Sequence, residues 1–257
     1  MDTNETLNQS LLALACGDSY GSHYEYEGLT GGTFNIKKLP KKPKFPNITD
    51  DTKMATILLK HYMKNKTIYP DKLSEEYRVW AREDGDGIGI HTMTVLLEGE
   101  KDKDSQGNGA LMRVIPFGVE LIKDGYTFEE AVKMMNIDSA ITHENETIFM
   151  SNRICLDLAL HGLSVLDKTE YKELLLKLKL GDTAWVVYSL YIVIEALKMK
   201  LSFIKGFKYI VSVGGDTDTN CAIYAAIKGF DNNIEEEVTI KDFIPYELAV
   251  QFQKNLE

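Results

Sequence analysis

The sequence predicts an all-α protein, and more narrowly a compact single-domain orthogonal helical bundle. Apolar residues recur at helical spacing along most of the chain, and helix start and stop residues stand at the ends of these segments. No convincing set of segments alternates between apolar and polar residues, as half-buried strands would. The 257 residues suit one large domain or two small ones, and no repeat or low-complexity linker divides them. We therefore expect one domain over residues 1–257.

The helical pattern can be followed segment by segment. The first segment carries Leu7, Leu11 and Leu14 and reaches Gly17, which predicts a C-terminal stop. The Thr-Asp-Asp-Thr cluster at 49–52 precedes the second segment and predicts its N-terminal cap. Thr127 and Glu130 have the spacing of a capping box. The predicted helices are 5–16, 51–65, 71–82, 92–98, 109–123, 127–140, 144–162, 168–178, 183–199, 202–212, 218–229 and 246–255.

Residues 18–50 form the longest segment without a helical pattern. The segment is rich in glycine and proline and holds the run Lys-Lys-Leu-Pro-Lys-Lys-Pro-Lys at 37–44. Loops this long in a compact domain are often functional. The lysines either attract an anionic ligand or form a solvated loop edge, and the usual exposure of lysine favours the edge. A short extended piece is predicted near 33–36.

Composition narrows the classes of function and partner. The net charge of −10 disfavours nucleic acid as a partner, because binding the phosphate backbone needs a basic face. Cys16, Cys155 and Cys221 match no zinc pattern, so we expect a reducing, cytoplasmic compartment and no disulfide framework. The N-terminus lacks the features of a signal peptide. The longest apolar segment, 185–197, contains Glu195 and predicts a buried helix, with no role in a membrane.

Two clusters of carboxylates and hydroxyls are the most informative feature of the chain. One reads Thr-Asp-Asp-Thr at 49–52 and the other Gly-Gly-Asp-Thr-Asp-Thr at 214–219. Either cluster alone is more often a helix cap, because side-chain oxygens satisfy free backbone N–H groups. Carboxylates packed this closely repel one another, and hard divalent cations remove that cost through oxygen ligation. Two clusters in one chain therefore favour a metal site with more than one ion.

Four shorter motifs stand at the joints between the predicted helices. They are Gly-Asp-Ser-Tyr-Gly-Ser-His-Tyr-Glu at 17–25, Asp-Gly-Ile-Gly at 86–89 with Thr92, Gly-Asn-Gly-Ala-Leu-Met-Arg at 107–113, and Thr-His at 142–143. Glycines allow the backbone to approach a ligand closely, and helix N-termini favour anions. The loop 107–109 is therefore a candidate cradle for pyrophosphate or ribose, although a Gly-Asn-Gly by itself is more often a turn.

These motifs together resemble the ADP-ribosylglycohydrolase family, which includes enzymes that release ADP-ribose from arginine or serine. The matching segments are 17–25, 49–52 with Met54, 107–109 with Met112 and Arg113, 142–143, and 214–219 followed by Ala222. They occur in the family's order and cover nearly the whole chain. The chain is shorter than typical members. It also reads Trp-Val-Val-Tyr-Ser at 185–189, where many relatives have glycine before an aromatic residue.

The resemblance implies an all-α fold with two Mg²⁺ or Mn²⁺ ions at its centre. It assigns one ion to Thr49, Asp50 and Asp51. It assigns the other ion to Asp216 and Thr219, with Asp218 shared by both ions. It places Glu25 beside the metals as a flexible acidic residue.

The same resemblance implies a site for ADP-ribose next to these ions. The loop of Gly107, Asn108 and Gly109 would contact the distal ribose and the diphosphate. His143 would help to line the site, and Met112 belongs to the same matched segment. The implied partners are an ADP-ribosylated protein or small molecule and ADP-ribose itself.

Hydrolysis of a glycosidic bond to ribose develops oxocarbenium-like charge. Metals would orient the ribose hydroxyls and supply a nucleophilic water, and a nearby carboxylate would move the proton. Glu25 and Asp51 are the candidates for that catalytic role. Two rival functions stay open, a different metal hydrolase such as a phosphohydrolase and a non-catalytic ADP-ribose binder on the same fold.

Several residues allow two interpretations from the sequence. His143 could cap the helix that follows it, and Asp18 could cap the turn that follows it. His23, Tyr24 and Tyr26 could stack on a base or pack the long loop against the core. Arg113 could meet a carboxylate of the metal site or pair at the surface. These alternatives are distinguished by packing rather than by local pattern.

Overall fold

The computed structural model describes residues 7–25, 36–181 and 183–252. Helices account for the regular structure of these ranges, where the one strand-like pairing is an antiparallel bridge between Gly107 and Trp185. The helices are α1 (Gln9–Gly21), α2 (Asp50–Asn65), α3 (Pro70–Asp84), α4 (Ile90–Met93), α5 (Leu111–Lys123), α6 (Phe128–Thr142), α7 (Glu146–His161), α8 (Lys172–Leu175), α9 (Val186–Lys198), α10 (Phe203–Val213), α11 (Thr217–Lys228) and α12 (Tyr246–Phe252). The all-α prediction is confirmed. None of the described helices is both long enough and apolar enough to cross a lipid bilayer.

Most predicted helices appear within a few residues of their expected bounds, and the exceptions have local causes. The segment predicted at 92–98 is a single α-turn, α4, that continues as a π-turn over Thr94–Glu98. The segment predicted at 168–178 contains a 3₁₀ turn, Thr169–Tyr171, and the one-turn helix α8. The capping box at Thr127 is confirmed, because its hydroxyl accepts from the Glu130 N–H and Glu130 accepts from the Thr127 N–H.

The prediction that the first helix stops at Gly17 is wrong. Helix α1 continues to Gly21, and it is buried from Ser10 to Gly21. Gly17 is a packing residue rather than a stop, because a Cβ added there would lie 2.4 Å from the Cys221 carbonyl oxygen of α11. A Cβ at Gly21 would likewise lie 2.2 Å from the Thr217 carbonyl oxygen. Glycine in a helix is read from sequence as a terminator, although here it lets two backbones touch.

Helices α1 and α11 form the innermost pair of the described fold. Ala13, Gly17 and Gly21 follow one another at i, i+4 spacing and therefore share one face of α1. That face meets α11 at Thr217 and Cys221 and, at its far end, Gly229. The Thr217 hydroxyl donates to the Gly21 carbonyl oxygen at 2.9 Å, which fixes the two helices along their axes. The N-terminal end of α11 is thereby held beside the C-terminal end of α1.

The remaining helices cover this pair with two apolar clusters. The larger cluster surrounds α1 and α11 and includes α9 and α10, whose inward side chains are fully buried. The smaller cluster lies among α2, α3, α5 and α6. Helix α5 contributes to both clusters, with Ile115 in the larger and Phe117 in the smaller. The start of α5, where the glycine loop 107–109 ends, therefore lies between the two.

Two further expectations concern the long segment before α2. The extended piece predicted near 33–36 lies mostly outside the described residues, and its last residue belongs to a 3₁₀ turn over Ile36–Lys38. The lysines that follow are exposed, and Lys42 pairs with Asp242 at 3.3 Å. A solvated loop edge is therefore the better interpretation of the lysine run.

Substitution of Gly17 by alanine should destabilise the protein more than most helix substitutions to alanine do. The new Cβ would overlap the Cys221 carbonyl, so α1 and α11 must move apart. We expect the free energy of unfolding to fall by about 3 kcal/mol, at the upper end for overpacking of a core. Urea denaturation followed by circular dichroism measures this change.

Gly89 provides the matched control for that experiment. A Cβ added at Gly89 would have no neighbour within 4 Å, so Gly89→Ala should leave the unfolding midpoint within about 0.5 kcal/mol of the parent. Equal effects of the two substitutions would show that the contact between α1 and α11 does not limit stability.

Candidate active site

Both acidic clusters lie at helix N-termini. Helix α2 begins at Asp50, and α11 begins at Thr217 with Asp216 in the N-cap position. Gly214 and Gly215 precede α11 with φ of 86° and 79°, a left-handed conformation that side-chain-bearing residues rarely adopt. The positive end of each helix dipole favours carboxylates there. The local sequence thus directs two sets of acidic side chains toward one region of the fold.

Asp18 of α1 supplies the cap of α2. Its carboxylate accepts from the Thr49 backbone N–H at 3.0 Å and from the Thr52 hydroxyl at 2.5 Å. It also accepts from the Thr52 N–H and the Thr49 hydroxyl. Thr49 occupies the N-cap position of α2, as the cluster at 49–52 predicts, but its side chain makes no capping bond and Asp18 supplies that bond instead. Asp18 was expected to cap the turn after it, and that interpretation is wrong.

A hydrogen bond between Thr219 and Asp51 joins the two clusters. The Thr219 hydroxyl donates to Asp51 Oδ2 at 3.2 Å, and the Thr49 hydroxyl lies 3.3 Å from the same oxygen. The second oxygen, Asp51 Oδ1, is buried and has no hydrogen-bond partner among the described residues. A buried carboxylate oxygen without a partner is costly, because its hydration is lost with no replacement.

A second group of carboxylates faces the first. One oxygen from each of Glu25, Asp216 and Asp218 lies within 4.8 Å of the others. Asp218 is buried, while Glu25 and Asp216 are half-buried. The Asp218 carboxylate accepts from the Thr219 N–H at 2.9 Å, and Asp216 accepts from the Asn108 amide at 2.8 Å. Within the described ranges, no lysine or arginine forms a salt bridge with these three acids.

The electrostatics of this group favour added positive charge. Burial raises the pKa of Asp50 well above its usual range, and repulsion from Asp18 adds to the effect. Burial and repulsion from neighbouring carboxylates likewise raise the pKa of Asp51 and Asp218 well above the usual value. Burial, followed by repulsion from Asp216, raises the pKa of Glu25. A cation among these groups would favour their charged carboxylate forms.

The donor set fits hard divalent cations. Every side chain that the two clusters direct inward ends in a carboxylate or hydroxyl oxygen, the ligand type that Mg²⁺ and Mn²⁺ prefer. The unpartnered Asp51 Oδ1 is an additional oxygen ready for such a role. Close spacing of Glu25, Asp216 and Asp218 without a basic partner is the arrangement that a cation stabilises.

A cavity of about 210 Å³ opens onto these acids. Its wall combines residues of the two acidic clusters with the glycine loop and with residues of two further motifs. It is lined by Glu25, Asp50, Gly87, Gly89, Ile90, His91, Thr92, Gly107, Asn108, Gly109, Met112, His143, Ala184, Asp216, Asp218 and Thr219. Thr49 and Asp51 lie behind this lining, where Asp51 accepts from the lining residue Thr219 and Thr49 lies against Asp51.

The glycine loop is held from its outer side by the segment before α9. The Asn108 N–H donates to the Ala184 carbonyl, and the Val186 N–H donates to the Gln106 carbonyl, both at 2.9 Å. The Asn108 side-chain amide donates to Ser189 and to Asp216, which ties the loop to the acidic cluster. The segment 185–189, where the chain departs from the family pattern, therefore supports the loop.

His143 lies against the loop from the other side. A Cβ added at Gly107 would lie 3.2 Å from His143 Nε2, and one at Gly109 would lie 3.2 Å from its Cε1. His143 follows the last residue of α6, and Asn145 rather than His143 caps α7. The interpretation of His143 as a helix N-cap is therefore wrong, and the residue lines the cavity.

A buried network anchors His143 and the loop together. Arg113 is fully buried and donates through Nε to Asp138 Oδ2 at 2.9 Å and through Nη1 to the Gly109 carbonyl at 2.6 Å. Its Nη2 donates to the Thr142 hydroxyl, which lies 2.9 Å from His143 Nδ1. Arg113 pairs neither with the acidic clusters nor at the surface, so both sequence-based alternatives are wrong.

The network also sets the state of the imidazole. Burial, and next the charge of Arg113, hold the pKa of His143 well below its usual range, so the ring is neutral at pH 7. The Thr142 hydroxyl accepts from Arg113 Nη2 at 3.0 Å and lies 2.9 Å from His143 Nδ1. A neutral ring that accepts the Thr142 hydrogen at Nδ1 carries its own hydrogen on Nε2, the nitrogen next to Gly107.

The packing interpretation holds for one of the three aromatic residues near the long loop. Tyr24 is buried, with its ring 5.8 Å from that of Tyr20. His23 lies against Phe45, with ring centroids 4.5 Å apart. Tyr26 lies outside the described residues.

Sequence reasoning identified most of this wall and missed part of it. The residues not selected as site residues are Gly87, Gly89, Ile90, His91, Thr92 and Ala184. The glycine-rich turn at 86–89 was noticed, but no chemistry was assigned to it. His91 and Ile90 carry no local signal, since both look like surface residues of a short helix. The His91 ring nitrogen Nε2 donates to the Thr142 carbonyl at 3.0 Å, which only the fold brings near.

A family model described as ADP-ribosylglycohydrolase matches residues 2–231. The chain is 22% identical, over 286 aligned residues, to a protein of Acanthamoeba polyphaga mimivirus provisionally named an ADP-ribosyl glycohydrolase, and covers 84% of that protein with 86% of its own length. Among solved structures it resembles an ADP-ribosylglycohydrolase-related protein complex, with TM-score 0.67, 22% identity, and coverage of 98% of this chain and 94% of that one. Structural likeness at this identity supports the fold alone.

Asp138→Asn should destabilise the protein strongly because it leaves the buried Arg113 charge without its counter-ion. Both side chains are fully buried at a 2.9 Å contact. Breaking such a pair costs about 3–5 kcal/mol of unfolding free energy. Chemical denaturation provides the measurement.

The matched control removes the hydrogen bond that a neutral donor makes to the same carboxylate. The Tyr77 hydroxyl donates to Asp138 Oδ1 at 2.8 Å, so Tyr77→Phe should cost only about 1–2 kcal/mol. A smaller loss for Asp138→Asn than for Tyr77→Phe would contradict an ion pair at this position.

Proposed function

We propose that this chain, which belongs to the ADP-ribosylglycohydrolase family, hydrolyses the glycosidic bond between ADP-ribose and an acceptor and releases ADP-ribose. The acceptor is a modified protein side chain. One observation carries the proposal: the acidic clusters and the loop of Gly107–Gly109 line a single cavity. A nucleotide–sugar ligand and the cations that act on it would meet there.

We propose two Mg²⁺ or Mn²⁺ ions as the cofactors. Thr49, Asp50 and Asp51 would hold one ion. The buried Asp51 Oδ1, which has no hydrogen-bond partner among the described residues, supports this assignment. The other ion would be held by Asp216 and Thr219. Asp218 would bind both ions. One of its carboxylate oxygens lies within 4.8 Å of an Asp216 oxygen, and repulsion from Asp51 contributes to its raised pKa. Such ions orient hydroxyls and lower the pKa of a bound water.

Glu25 is the better candidate for proton transfer. It lines the cavity and is half-buried, and burial followed by repulsion from Asp216 raises its pKa, which makes it a better proton acceptor and donor partner than an exposed glutamate. Asp51 lies behind the wall, where its Oδ2 accepts from Thr219. We therefore assign Asp51 to metal binding and positioning, and Glu25 to accepting the proton of the attacking water or donating to the leaving group.

The glycine loop and His143 would bind the ADP-ribose part. Gly107 and Gly109 line the cavity, and because they lack side chains His143 can lie against the loop, so that backbone and imidazole form one surface for a phosphate or ribose. The neutral His143, with its hydrogen on Nε2, can donate to a ligand oxygen without adding charge. Asn108 is already bonded to Asp216 and Ser189, so it would align the loop with the acids. Met112 completes the wall as an apolar contact.

The reaction is tested with proteins ADP-ribosylated on arginine and, separately, on serine. With Mg²⁺ or Mn²⁺ the parent protein should release ADP-ribose from one of them, and chelator should abolish the release. Asp218→Asn should lower kcat/KM at least about 100-fold, because an amide replaces a ligand shared by both ions. Chromatographic detection of free ADP-ribose gives the rate.

Asp231→Asn serves as the control, since Asp231 is exposed and lies away from the cavity lining. Thermal unfolding with metal and ADP-ribose should show a raised midpoint for the parent and for Asp231→Asn, and little rise for Asp218→Asn. Undiminished activity of Asp218→Asn would remove it from the metal site. Binding without release from any substrate would favour a non-catalytic ADP-ribose binder.

A further inference from the structure

We propose that an apolar stripe at the cavity mouth, Ile90, Met93 and Leu97, docks the polypeptide that carries the ADP-ribose. The substrate would then be a modified protein segment of apolar and basic character rather than a free small molecule. This inference rests on the proposed function and names the substrate class of the same site.

The stripe is formed by the outer face of a short helical segment. Its three side chains are 80%, 37% and 40% exposed, and Ile90 is the most exposed large apolar residue of the described chain. The inner face of the same segment is buried through Thr92, Val95 and Leu96. The segment is therefore anchored, and its apolar outer face is not a result of fraying.

Hydrogen bonds hold the stripe in a defined position. The Arg78 side chain donates through Nε to the Leu96 carbonyl at 3.0 Å, and the Met93 N–H bonds to the Gly89 carbonyl at 2.9 Å. His91 is tied to the Thr142 carbonyl, next to the network that supports His143. A surface that is already ordered loses little entropy when a partner binds.

Continuity with the cavity points to the acceptor as the occupant. Ile90 lines the cavity together with His91 and Thr92, and Met93 and Leu97 continue the stripe away from it. The cavity volume of about 210 Å³ is below the ~300 Å³ at which pockets for drug-sized ligands begin. The ribose that carries the scissile bond would lie beside the acids in this space, so the attached polypeptide must extend across the mouth.

The acidic residues that flank the stripe in sequence indicate which side chains that polypeptide would carry. Asp86 precedes the cavity-lining Gly87, and Glu98 and Glu100 follow Leu97. All three acids are exposed, and none forms a salt bridge in the described part of the chain. The adjacent Lys101 is already paired with Glu144. Apolar area flanked by free carboxylates favours a segment that combines apolar and basic side chains.

The double substitution Met93→Ser with Leu97→Ser tests the proposal, because neither residue lines the cavity. We expect kcat/KM for an ADP-ribosylated polypeptide to fall about tenfold, through KM, since truncation of apolar contact residues commonly costs that much. The kcat/KM for a single ADP-ribosylated amino acid should be the same in this variant as in the parent protein. The polypeptide probe carries leucine and lysine next to the modified residue, and a second probe carries aspartate instead.

Leu176→Ser with Met199→Ser is the matched control, as these side chains are 77% and 48% exposed and stand outside the cavity lining. The control should hydrolyse both substrates at the parent rate. Equal loss on both substrates in the mouth variant, no loss on either, or no preference for the basic probe would overturn the proposal. Failure of the parent protein to hydrolyse any substrate would instead refute the proposed function, and the docking proposal with it.

Discussion

The close contact between α1 and α11 determines where the functional groups of this protein lie. Glycines at 17 and 21 allow the backbone of α1 to touch that of α11, with no room for even a methyl group. The end of α1, with Asp18, is thereby fixed beside the start of α11, where Asp216 and Asp218 stand. Asp18 in turn positions the first turn of α2. Three chain segments far apart in sequence are located by one helix pair.

The acids of the site are held in place by hydrogen bonds and helix ends rather than by basic side chains. Hydroxyls of Thr49, Thr52 and Thr219 donate to the carboxylates, and each cluster occupies the positive end of a helix. These interactions orient the oxygens without neutralising them. The geometry is consequently set before any cation or substrate arrives, which reduces the reorganisation that binding requires.

The parts of the site that could be predicted from sequence are those whose signal is local. The two acidic clusters and the glycine loop are runs of neighbouring residues at helix starts, so the kind of ligand they suit can be predicted without knowledge of the fold. Gly17 was misjudged because a packing glycine and a helix stop look alike in sequence. The partners of Asp18 and Arg113 lie 31 and 25 residues away, at Thr49 and Asp138, and only tertiary packing selects them.

The cap that Asp18 provides for α2 has a consequence for the order of folding. Because the capping group belongs to another helix, the first turn of α2 gains its stabilising partner only after α1 has docked. Helical structure in the middle of α2 can form early, whereas the arrangement of Thr49, Asp50 and Asp51 is a late, tertiary event. A refolding chain should therefore recover its helical circular dichroism before any affinity for the divalent cations proposed above. Simultaneous recovery of both signals would mean that the cap forms together with the helix itself.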